Sequence, residues 1–411
     1  MSLVVQKYGG TSVGDPERIR AVADHIVRTR REGNDVVVVV SAMGKTTDDL
    51  IRLANGVSSA PGGREMDMLL TAGERISMAL LCMAIHEQGE HAVSYTGSQA
   101  GIVTDAEHGR AKIVEVKADR IRDTLAGGGI AVVAGFQGVS QTRDVTTLGR
   151  GGSDTTAVAL AAALHAAYCE IYTDVSGVYT ADPRVVPNAR MLERVSFDEM
   201  LEMAASGGRV LALRSVEFAR NHDVRVHVRS SFTWAPGTWV EEEHADMEQT
   251  IISGVTHDTS EAKVTIEQVP DRPGIAATLF RALADEGINV DMIVQNVSTE
   301  GHTDISFTVP STDLSRTEGV LERVAEKTEA KGFSSDARVG RVSLIGAGMK
   351  SNPGIAAKMF EVLARDGVNI EMISTSSIRV SCVVREDDVE RAVRALHDAF
   401  ELGTPSAAGS E

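Results

Sequence analysis

Disulfide frameworks and paired metal ligands are absent from this chain. It has three cysteines among 411 residues, Cys82, Cys169 and Cys382, and they lie far apart in apolar segments. An odd number of cysteines without CxxC spacing indicates reduced thiols in a protein core, so we expect a cytoplasmic protein. The eleven histidines form no HExxH or similar pair, and we therefore expect no metal ion held by the protein itself.

Long apolar runs and an excess of positive charge are absent as well. Lys7 interrupts the first apolar stretch, which argues against a secretory signal, and the run at 157–168 is too short and alanine-rich to span a bilayer. The formal net charge is −17, whereas nucleic acids and anionic membranes bind clustered Lys and Arg. We therefore expect neither partner, although a few local cations could still hold a small anion.

What the first 230 residues do contain is an alternation of short apolar strands and helical patterns. Asp15 and Pro16 can begin a helix after the first strand, and Gly33 can end it. This alternation predicts an α/β sandwich with a mostly parallel sheet. The predicted strands have the sequences LVVQKY, DVVVVVSAMG, HAVSYTG, AKIVEV, GIAVVAGF, CEIYTDV and VRVHVRS.

Four polar or glycine positions stand at the carboxyl ends of predicted strands: Lys7, Ser41, Gly135 and Asp174. Ligands of open α/β sheets bind beyond those ends. The four turns are therefore predicted to meet over one site.

The second half of the chain contains an internal duplication. RPGIAATLFRALADEGINVDMI at 272–293 matches NPGIAAKMFEVLARDGVNIEMI at 352–373, with a constant offset of 80 residues. Each copy has a Pro-Gly turn before a helix and strands on both sides, which predicts a pair of small α+β modules. The polar stretch at 232–249 separates them from the first part, and we expect Trp234 and Trp239 within it to be packing anchors rather than a binding platform. The predicted domains are 1–231, a linker at 232–250, then 251–338 and 339–411.

One phosphate-binding motif is excluded. Gly44-Lys45-Thr46 resembles the end of a P-loop, but the glycine required five residues earlier is Val39, inside a predicted strand. The HRD and DFG motifs of protein kinases are missing too. A nucleotide site in this chain has to be built from other turns.

Small-residue turns with a few charges are the remaining candidates. KYGGTS offers Lys7 beside backbone N–H groups that glycine leaves accessible to an anion. LGRGGSDTTA places Arg150 and two glycines before a predicted helix, whose N-terminus favours phosphate or carboxylate. Ser153 and Asp154 in that motif are also ordinary helix-start residues.

Two further segments are ambiguous when taken alone. YTDVSGVYTADPR follows a strand and holds Asp174, Tyr179 and Asp182, yet its DVSG and ADPR are also common turn sequences. Glu74 and Arg75 in LLTAGERIS could form a solvated pair on the outer face of a helix. Neither segment decides the function singly.

Together, KYGGTS, SAMG, LLTAGERIS, GFQG, LGRGGSDTTA and TDVSGVYTADPR, in this order, resemble the aspartate kinases of the amino-acid kinase family. The two repeats resemble tandem ACT domains, so the resemblance covers nearly the whole chain. QNVS and ISTSSIR in the repeats are most similar to the lysine- and threonine-sensitive type made as α and β subunits. The chain departs from the family at Gly208 and Arg209, where many members have Ala and Lys.

The resemblance implies a transfer of the ATP γ-phosphoryl group to the side-chain carboxylate of L-aspartate, the first step of lysine, threonine and methionine biosynthesis. It implies catalytic roles for Lys7, Glu74, Arg150 and Asp154. The implied aspartate-binding residues are Thr47, Glu74, Phe136, Arg150, Gly151, Gly152, Ser153 and Asp154. The implied nucleotide-binding residues are Lys7, Tyr8, Gly9, Gly10, Ser41, Thr173, Asp174, Tyr179, Thr180, Asp182, Pro183, Arg184 and Arg209. Mg²⁺ is expected to arrive with ATP, with no protein ligand named.

The resemblance also implies amino-acid effectors, lysine and threonine, bound at the repeats. A Pro-Gly turn is equally a simple helix start, and the apolar residues of each repeat helix are core positions. ACT modules bury strand edges by pairing, so we expect a homo-oligomer, or α2β2 with a β chain started at Met247. The implied effector-site residues are Asp271, Gly274, Ile275, Ala276, Asn289, Val290, Asp291, Gln295, Asn369, Ile370, Ser376 and Ser377.

Two other functions remain open from the sequence. One is a different amino-acid kinase that acts on glutamate, acetylglutamate or a nucleotide, although the tandem repeats and Glu74 favour aspartate. The other is a catalytically silent amino-acid sensor in which only the repeats function. Lys7, Arg150 and Asp154 argue against a sensor, because a silent domain does not need these charges at strand ends.

Overall fold

The computed structural model describes residues 2–242, 252–296 and 301–403. The chain forms two compact units, each assembled from segments that are not contiguous in sequence. We call them the N-terminal unit and the C-terminal unit. The N-terminal unit comprises Met1–Val178, Met191–Ala204 and Arg209–Asp246, and the C-terminal unit comprises Tyr179–Arg190, Ala205–Gly208 and Met247–Glu411.

The N-terminal unit alternates strands and helices, as the sequence pattern predicts. Its strands are β1 Leu3–Tyr8, β2 Asp35–Val40, β3 Ala92–Tyr95, β4 Ile102–Thr104, β5 Ile113–Val116, β6 Ile130–Ala134, β7 Gln137–Ser140, β8 Val145–Thr147, β9 Tyr168–Thr173, β10 Arg194–Ser196, β11 Val226–Ser230 and β12 Thr238–Glu241. Its helices are α1 Pro16–Arg31, α2 Thr46–Val57, α3 Gly63–Leu70, α4 Ala72–Glu87, α5 Asp119–Ala126, α6 Gly152–Leu164, α7 Phe197–Ala205, whose last residue falls in the C-terminal unit, and α8 Leu213–Asn221.

An eight-stranded sheet forms the centre of this unit, in the order β10-β12-β11-β9-β1-β2-β6-β3. All of its pairings are parallel except the one between β11 and β12. This confirms the predicted mostly parallel sheet. Since β9, β1, β2 and β6 are parallel neighbours, their carboxyl ends lie at one edge, where the four predicted turns begin.

Local sequence accounts for the first helix. The backbone N–H of Arg18 donates to Asp15 Oδ1 at 2.9 Å, and Pro16 occupies the first helical position. Ile19, Val22 and Ile26 are buried on one face of α1, in the hydrophobic core that also contains side chains of β1, β2 and β6.

Three segments differ from the sequence prediction. AKIVEV forms β5, but β5 belongs to a separate four-stranded sheet, β5-β4-β7-β8, rather than to the central one. The LLTAGERIS segment, expected to lie in one helix, spans the junction of two helices, α3 and α4, that meet at Thr71. The expected linker contains β12, because Thr238 and Val240 are buried while Trp239 stacks on His227 with ring centroids 3.9 Å apart. Trp234 stacks on His25 at 4.1 Å, so both tryptophans are packing anchors, as predicted.

The C-terminal unit contains the two modules predicted from the duplication, each with a four-stranded antiparallel sheet and two helices. The sheets have the orders β15-β16-β14-β17 and β13-β18-β20-β19. The repeated Pro-Gly helices are α9 and α11. The elements are β13 Gly254–Asp258, β14 Glu261–Pro270, α9 Ile275–Asp285, β15 Asp291–Gln295, β16 His302–Pro310, α10 Leu314–Thr328, β17 Gly332–Asp336, β18 Val339–Ile345, α11 Ile355–Arg365, β19 Met372–Thr375, β20 Arg379–Arg385 and α12 Val389–Ala399.

The modules are not strictly consecutive in the chain. Strand β13 precedes the first module in sequence but pairs with β18 of the second, from Gly254–Ile345 to Asp258–Arg341. The first module is therefore inserted between two strands of the second. The sequence pattern does not reveal this exchange, because either module could accept an edge strand of that composition.

Candidate functional site

The central feature of the N-terminal unit is a pair of opposite charges at the carboxyl edge of its sheet. Lys7, near the end of β1, places its ammonium 2.6 Å from Oδ1 of Asp154, in the first turn of α6. Each side chain is 11% exposed. Asp154 Oδ1 forms no aligned hydrogen bond within the described residues, so charge attraction holds the pair. A partly shielded ammonium of this kind is suited to binding a phosphoryl group.

The SAMG turn lies directly against the glycines that follow Lys7. The N–H of Gly44 donates to Gly10 O at 2.9 Å, and the N–H of Ser41 donates to Tyr8 O at 3.1 Å. A Cβ at position 10 would stand 2.7 Å from Ala42 O, so only glycine permits this approach. The structure therefore brings Lys7, Gly9, Gly10 and Ser41 together, as the sequence predicts.

Glu74 is the second charged group at this edge, and it is buried rather than solvated. It is 3% exposed in the first turn of α4, and its Oε1 accepts a hydrogen bond from Ala42 N at 3.3 Å. Its Oε2 has no partner among the described residues. Burial raises the pKa of Glu74 to about 7. A buried carboxylate with one free oxygen is a natural partner for a ligand ammonium.

Arg150 is the exposed cation of the site. It makes no hydrogen bond or ion pair within the described chain, and it precedes Gly151, the N-cap of α6, which has a φ of +70°. The guanidinium of Arg214 holds this turn by donating to Leu148 O at 2.9 Å and to Ala111 O at 2.8 Å. The turn is thus anchored while Arg150 stays available for a carboxylate.

A buried cluster behind this turn was missed from the sequence. Asp67 is 1% exposed and accepts hydrogen bonds from Thr147 Oγ1 at 2.6 Å and from Gly109 N. His108 Nδ1 lies 2.7 Å from the other carboxylate oxygen. Thr147 is three residues before Arg150, so this cluster fixes the strand that leads into the arginine turn. Periodicity assigned Asp67 only to a helix, and no spacing links it to His108.

The remaining predicted aspartate-binding residues line the same turns. The backbone N–H of Phe136 donates to Thr156 Oγ1 of α6 at 3.2 Å, which ties GFQG to the start of that helix. Thr47 is half-buried in the first turn of α2, and Gly152 and Ser153 are buried in the first turn of α6. Helix α6 begins at Gly152, so its N-cap is Gly151. Ser153 lies inside the first turn and is not the N-cap that a simple helix start would make it.

One predicted nucleotide contact is corrected by the structure. The ring of Tyr8 is fully buried and stacks on Tyr172, with ring centroids 4.8 Å apart and planes inclined by 4°. Side chains alternate along a strand, so Tyr8 faces the core because Lys7 faces the site. Only the backbone of Tyr8 remains for a ligand.

The other predicted nucleotide residues divide between the two units. Thr173, Asp174 and Arg209 belong to the N-terminal unit, where Thr173 Oγ1 donates to Asp174 Oδ1 at 3.1 Å. Five others lie in the C-terminal unit. Of these, Thr180 is completely buried, whereas Asp182 accepts hydrogen bonds from Arg184 Nε and Nη2. These five residues are Tyr179, Thr180, Asp182, Pro183 and Arg184.

The predicted effector residues are mostly exposed turn and strand positions of the two modules. Two of them have structural roles. Ile275 is 8% exposed and belongs to the core of the first module. Asp291 accepts a hydrogen bond from Arg341 of the second module at 2.5 Å. The exposed members are Asp271, Gly274, Asn289, Gln295, Asn369, Ser376 and Ser377, and Ala276, Val290 and Ile370 are half-buried.

Arg341 links the two modules through a buried charge cluster. It is 1% exposed and lies 2.7 Å from Glu261 and 2.5 Å from Asp291 of the first module. Burial raises the pKa of Glu261 to about 6 despite the arginine charge. Burial also acts to raise the pKa of Asp291, but the Met292 N–H and Arg341 hold it below its ordinary value.

Three further features were considered for this chain: side-chain groups that could bind a metal ion, helices that could span a membrane, and the cysteines. Within residues 2–242, 252–296 and 301–403, no group of three or more His, Cys, Asp or Glu side chains could hold a metal ion. By length and composition alone Gly63–Glu87 could cross a membrane, but half of its most apolar window is buried inside the structure, as in a core helix. The three described cysteines are free and buried.

Family comparisons agree with this architecture. Residues 2–230 match the model of the amino acid kinase family, and residues 264–327 and 342–400 each match an ACT domain model. An aspartokinase of Mycolicibacterium smegmatis is 58% identical over 411 residues, covering 98% of this chain and 97% of the relative. An aspartate kinase of Pseudomonas putida is 50% identical over 410 residues, and both chains are covered completely.

Solved structures show the same likeness. Escherichia coli aspartokinase III in complex with aspartate and ADP, its R-state, matches with a TM-score of 0.85 and 27% identity. The same enzyme with lysine and aspartate, its T-state, matches with a TM-score of 0.75. Each comparison covers 97% of this chain and 99% of the other.

Proposed function

The chain belongs to the aspartokinases of the amino acid kinase family, and from this premise we propose that it transfers the γ-phosphoryl group of ATP to the side-chain carboxylate of L-aspartate. The product is 4-phospho-L-aspartate. The observation that supports this most directly is the Lys7–Asp154 pair, which lies at the sheet edge with buried Glu74 and exposed Arg150 on neighbouring turns.

The acceptor needs no general base. A carboxylate with a pKa near 4 is ionised at neutral pH, so its oxygen can attack without losing a proton. The main barrier is to bring two anions together and to stabilise charge on the transferred group. Lys7, followed by the N–H of Gly10, is positioned for that task, whereas the N–H of Gly9 donates to Tyr172 O at 3.2 Å. Asp154 holds the Lys7 ammonium in place rather than accepting a proton.

The two ends of aspartate's amino-acid group would be bound by opposite charges. Glu74 Oε2, which is buried and has no hydrogen-bond partner in the described part of the chain, suits the α-ammonium. Arg150 suits the α-carboxylate, which a guanidinium can bind with two parallel hydrogen bonds. Thr47 and Phe136 would complete the pocket. This assignment explains why Glu74 is buried without a counter-ion among the residues that the structure describes.

Nucleotide binding is assigned to backbone and side-chain groups of several turns. Ser41, Thr173, Asp174 and Arg209 of the N-terminal unit would contact ATP. Mg²⁺ would arrive with ATP and supply charge neutralisation, keeping mostly phosphate and water ligands.

We further propose that lysine and threonine inhibit the enzyme by binding the ACT modules. A relative with 27% identity has been solved with lysine in its T-state. An inhibitor must bind the inactive arrangement more tightly than the active one. The predicted effector residues at Asp271, Gly274, Asn289 and Gln295 are exposed and open to a ligand.

The assay is ATP-dependent formation of an acyl phosphate, trapped as the hydroxamate, with L-aspartate compared with L-glutamate. Lysine and threonine are added singly and together. We expect turnover with L-aspartate and none with L-glutamate. We also expect lysine and threonine to suppress the turnover. Turnover with glutamate would indicate another amino-acid kinase. A folded chain that binds lysine or threonine without turnover would be a sensor instead.

Assembly is a separate proposal. Met247, the predicted start of a β chain, lies outside the described residues, and we propose either a homo-oligomer or α2β2. Expression of the intact reading frame with a C-terminal tag tests this. A short tagged product that disappears in Met247→Leu would establish the internal start, and its absence from the unaltered frame would eliminate it.

A further inference from the structure

The arginine turn, residues 148–151, is held by a side chain from a helix more than 60 positions away. The guanidinium of Arg214, in the first turn of α8, donates from Nη1 to Leu148 O at 2.9 Å and from Nη2 to Ala111 O at 2.8 Å. All of these residues belong to the N-terminal unit. One planar group therefore joins the arginine turn to the turn at 105–112.

The charge of Arg214 serves main-chain oxygens rather than a carboxylate. Its side chain is half-buried and forms no ion pair in the part of the chain that the structure describes. Burial lowers the pKa of Arg214, while the charges of Asp105 and Glu217 act to raise it. Hydrogen bonds from a charged donor are stronger than those between neutral groups, so loss of the guanidinium would weaken both turns at once.

The start of α8 also touches the arginine turn directly. A Cβ at Gly151 would lie 2.1 Å from the Cβ of Ala212, the N-cap of α8. On the other side of the turn, the backbone N–H of Leu148 donates to Phe136 O at 2.9 Å. Leu148 is thus bound through its N–H to the GFQG turn and through its carbonyl oxygen to Arg214, two residues before Arg150.

Arg150 depends on this backbone for its position. It is exposed, and within the described residues its side chain has no hydrogen bond or ion pair. Lys7, in contrast, is held by its ion pair with Asp154 at 2.6 Å. A binding group is effective when it is held in place before the ligand arrives, and for Arg150 the only contacts that can do this are those of the turn.

We propose that Arg214 is a positioning residue for the acceptor: it holds the arginine turn so that Arg150 meets the α-carboxylate of aspartate. This rests on the proposed kinase function, which assigns that carboxylate to Arg150. Arg214 acts through Arg150 and not on the substrate itself. Every contact that the proposal uses lies inside the N-terminal unit.

The first test compares Arg214→Met with Arg214→Lys in the full-length chain, by the hydroxamate assay. Methionine donates no hydrogen bond, so the KM for aspartate should rise about 10-fold. Lysine keeps the charge but not the fork that reaches two carbonyl oxygens, so a rise of about 3-fold is expected. The KM for ATP should change less than about 2-fold in both. Arg220→Met removes an exposed arginine of the same helix, paired with Asp198 at 3.1 Å, and this control should resemble the wild type.

A double-mutant cycle separates positioning from general support of the fold. Arg150→Gln removes the group that Arg214 is proposed to position. The double variant Arg150→Gln with Arg214→Met should therefore have the same KM for aspartate as Arg150→Gln alone, since coupled residues give non-additive losses. If Arg214→Met raises the KM by the same factor in both backgrounds, Arg214 does not act through Arg150, and the proposal is overturned.

Amide hydrogen exchange gives a readout that needs no turnover. The N–H groups of Ala111 and Leu148, which donate to Thr147 O and Phe136 O, should exchange faster in Arg214→Met and at the wild-type rate in Arg220→Met. Should Arg214→Met not fold, Arg214→Lys takes its place in the cycle.

The outcomes distinguish this proposal from the kinase assignment. Faster exchange at these amides with an unchanged KM for aspartate would overturn the positioning role and leave the kinase intact. Equal rises in the KM values for aspartate and ATP would assign the effect to the stability of the whole unit, which overturns it as well. No turnover by the wild-type chain would remove the proposed function, and this role with it.

Discussion

The Lys7 ammonium lies 2.6 Å from the Asp154 carboxylate, and each side chain is 11% exposed. If Lys7 stabilises the transferred phosphoryl group, Lys7→Ala should lower kcat by at least about 10²-fold while the chain stays folded. Asp154→Asn should lower kcat less, because the ammonium remains. The hydroxamate assay measures both. In the double variant Lys7→Ala with Asp154→Asn, a loss of activation free energy equal to the sum of the two single losses would show that the residues do not act as one unit.

Glu74 predicts a specific pH dependence. Its pKa is about 7 in the free protein because burial disfavours the charged form, and only the carboxylate binds an ammonium. The kcat/KM for aspartate should therefore rise about tenfold between pH 6 and pH 8. Glu74→Gln should have a low and flat profile over that range. Glu65→Gln, at an exposed position of α3, is the control, and a flat wild-type profile would remove Glu74 from the ammonium site.

The same group predicts a change in stability with pH. Its folded-state pKa is raised above the ordinary 4.5, so its contribution is full below pH 4.5 and is lost as pH rises through about 7. Glu74→Gln, which cannot ionise, should become more stable relative to wild type between pH 5 and pH 8. Urea unfolding at the two pH values measures the difference, and a constant gap would contradict the buried, ionisable assignment.

Gly151 is predicted to be intolerant of a side chain. It has a φ of +70°, and a Cβ there would lie 2.1 Å from Ala212 Cβ. Gly151→Ala should lower the free energy of unfolding by about 2–3 kcal/mol and should raise the KM for aspartate, because Arg150 precedes it. Gly62→Ala, where a Cβ meets nothing within 4 Å, is the matched control for both measurements.

Asp67 is predicted to be structural but close to the substrate. Asp67→Ala leaves His108, Thr147 and Gly109 without their shared acceptor, which should cost about 2–3 kcal/mol of unfolding free energy. We expect a higher KM for aspartate with little change in the KM for ATP. An unchanged urea midpoint would show that the cluster does not hold the strand before Arg150.

The charge cluster between the ACT modules predicts an asymmetry between two substitutions. Arg341→Ala leaves Glu261 buried without its partner and should destabilise the C-terminal unit by about 3 kcal/mol. The double variant Arg341→Met with Glu261→Gln removes the buried Arg341–Glu261 pair, leaves only the half-exposed Asp291 charged, and should recover most of that loss. Urea denaturation monitored by circular dichroism gives the free energy of unfolding of each variant. Equal free energies for Arg341→Ala and the double variant would show that the unpaired Glu261 charge is not the cause of the loss.

Much of the fold follows from local pattern. The continuous β-branched run at 35–40 is a fully buried parallel strand, and Asp15 and Pro16 begin α1. The duplicated segments form α9 and α11 in equivalent modules. In each case the period of the apolar residues or a helix-start residue specifies the element without reference to the rest of the chain.

The candidate site was only partly predictable, because local pattern specifies where a residue lies in the chain but not what it packs against. Lys7 and Asp154 follow from motifs, since each stands at a strand end or helix start. The environment of Glu74 does not follow, because helical periodicity cannot tell a solvated carboxylate from one buried against Ala42. Asp67 and His108 are 41 residues apart, and no local pattern connects them.

The sequence by itself determined which residues are in the turns, that the sheet is mostly parallel and that two modules are repeated, because these depend on local propensity and periodicity. Only the tertiary structure decided which turns meet, that β13 completes the second module, and that Thr180 is held by His397 of α12. Those relationships join residues from 34 to 217 positions apart, and they are set by the packing of whole elements, which short-range patterns do not encode.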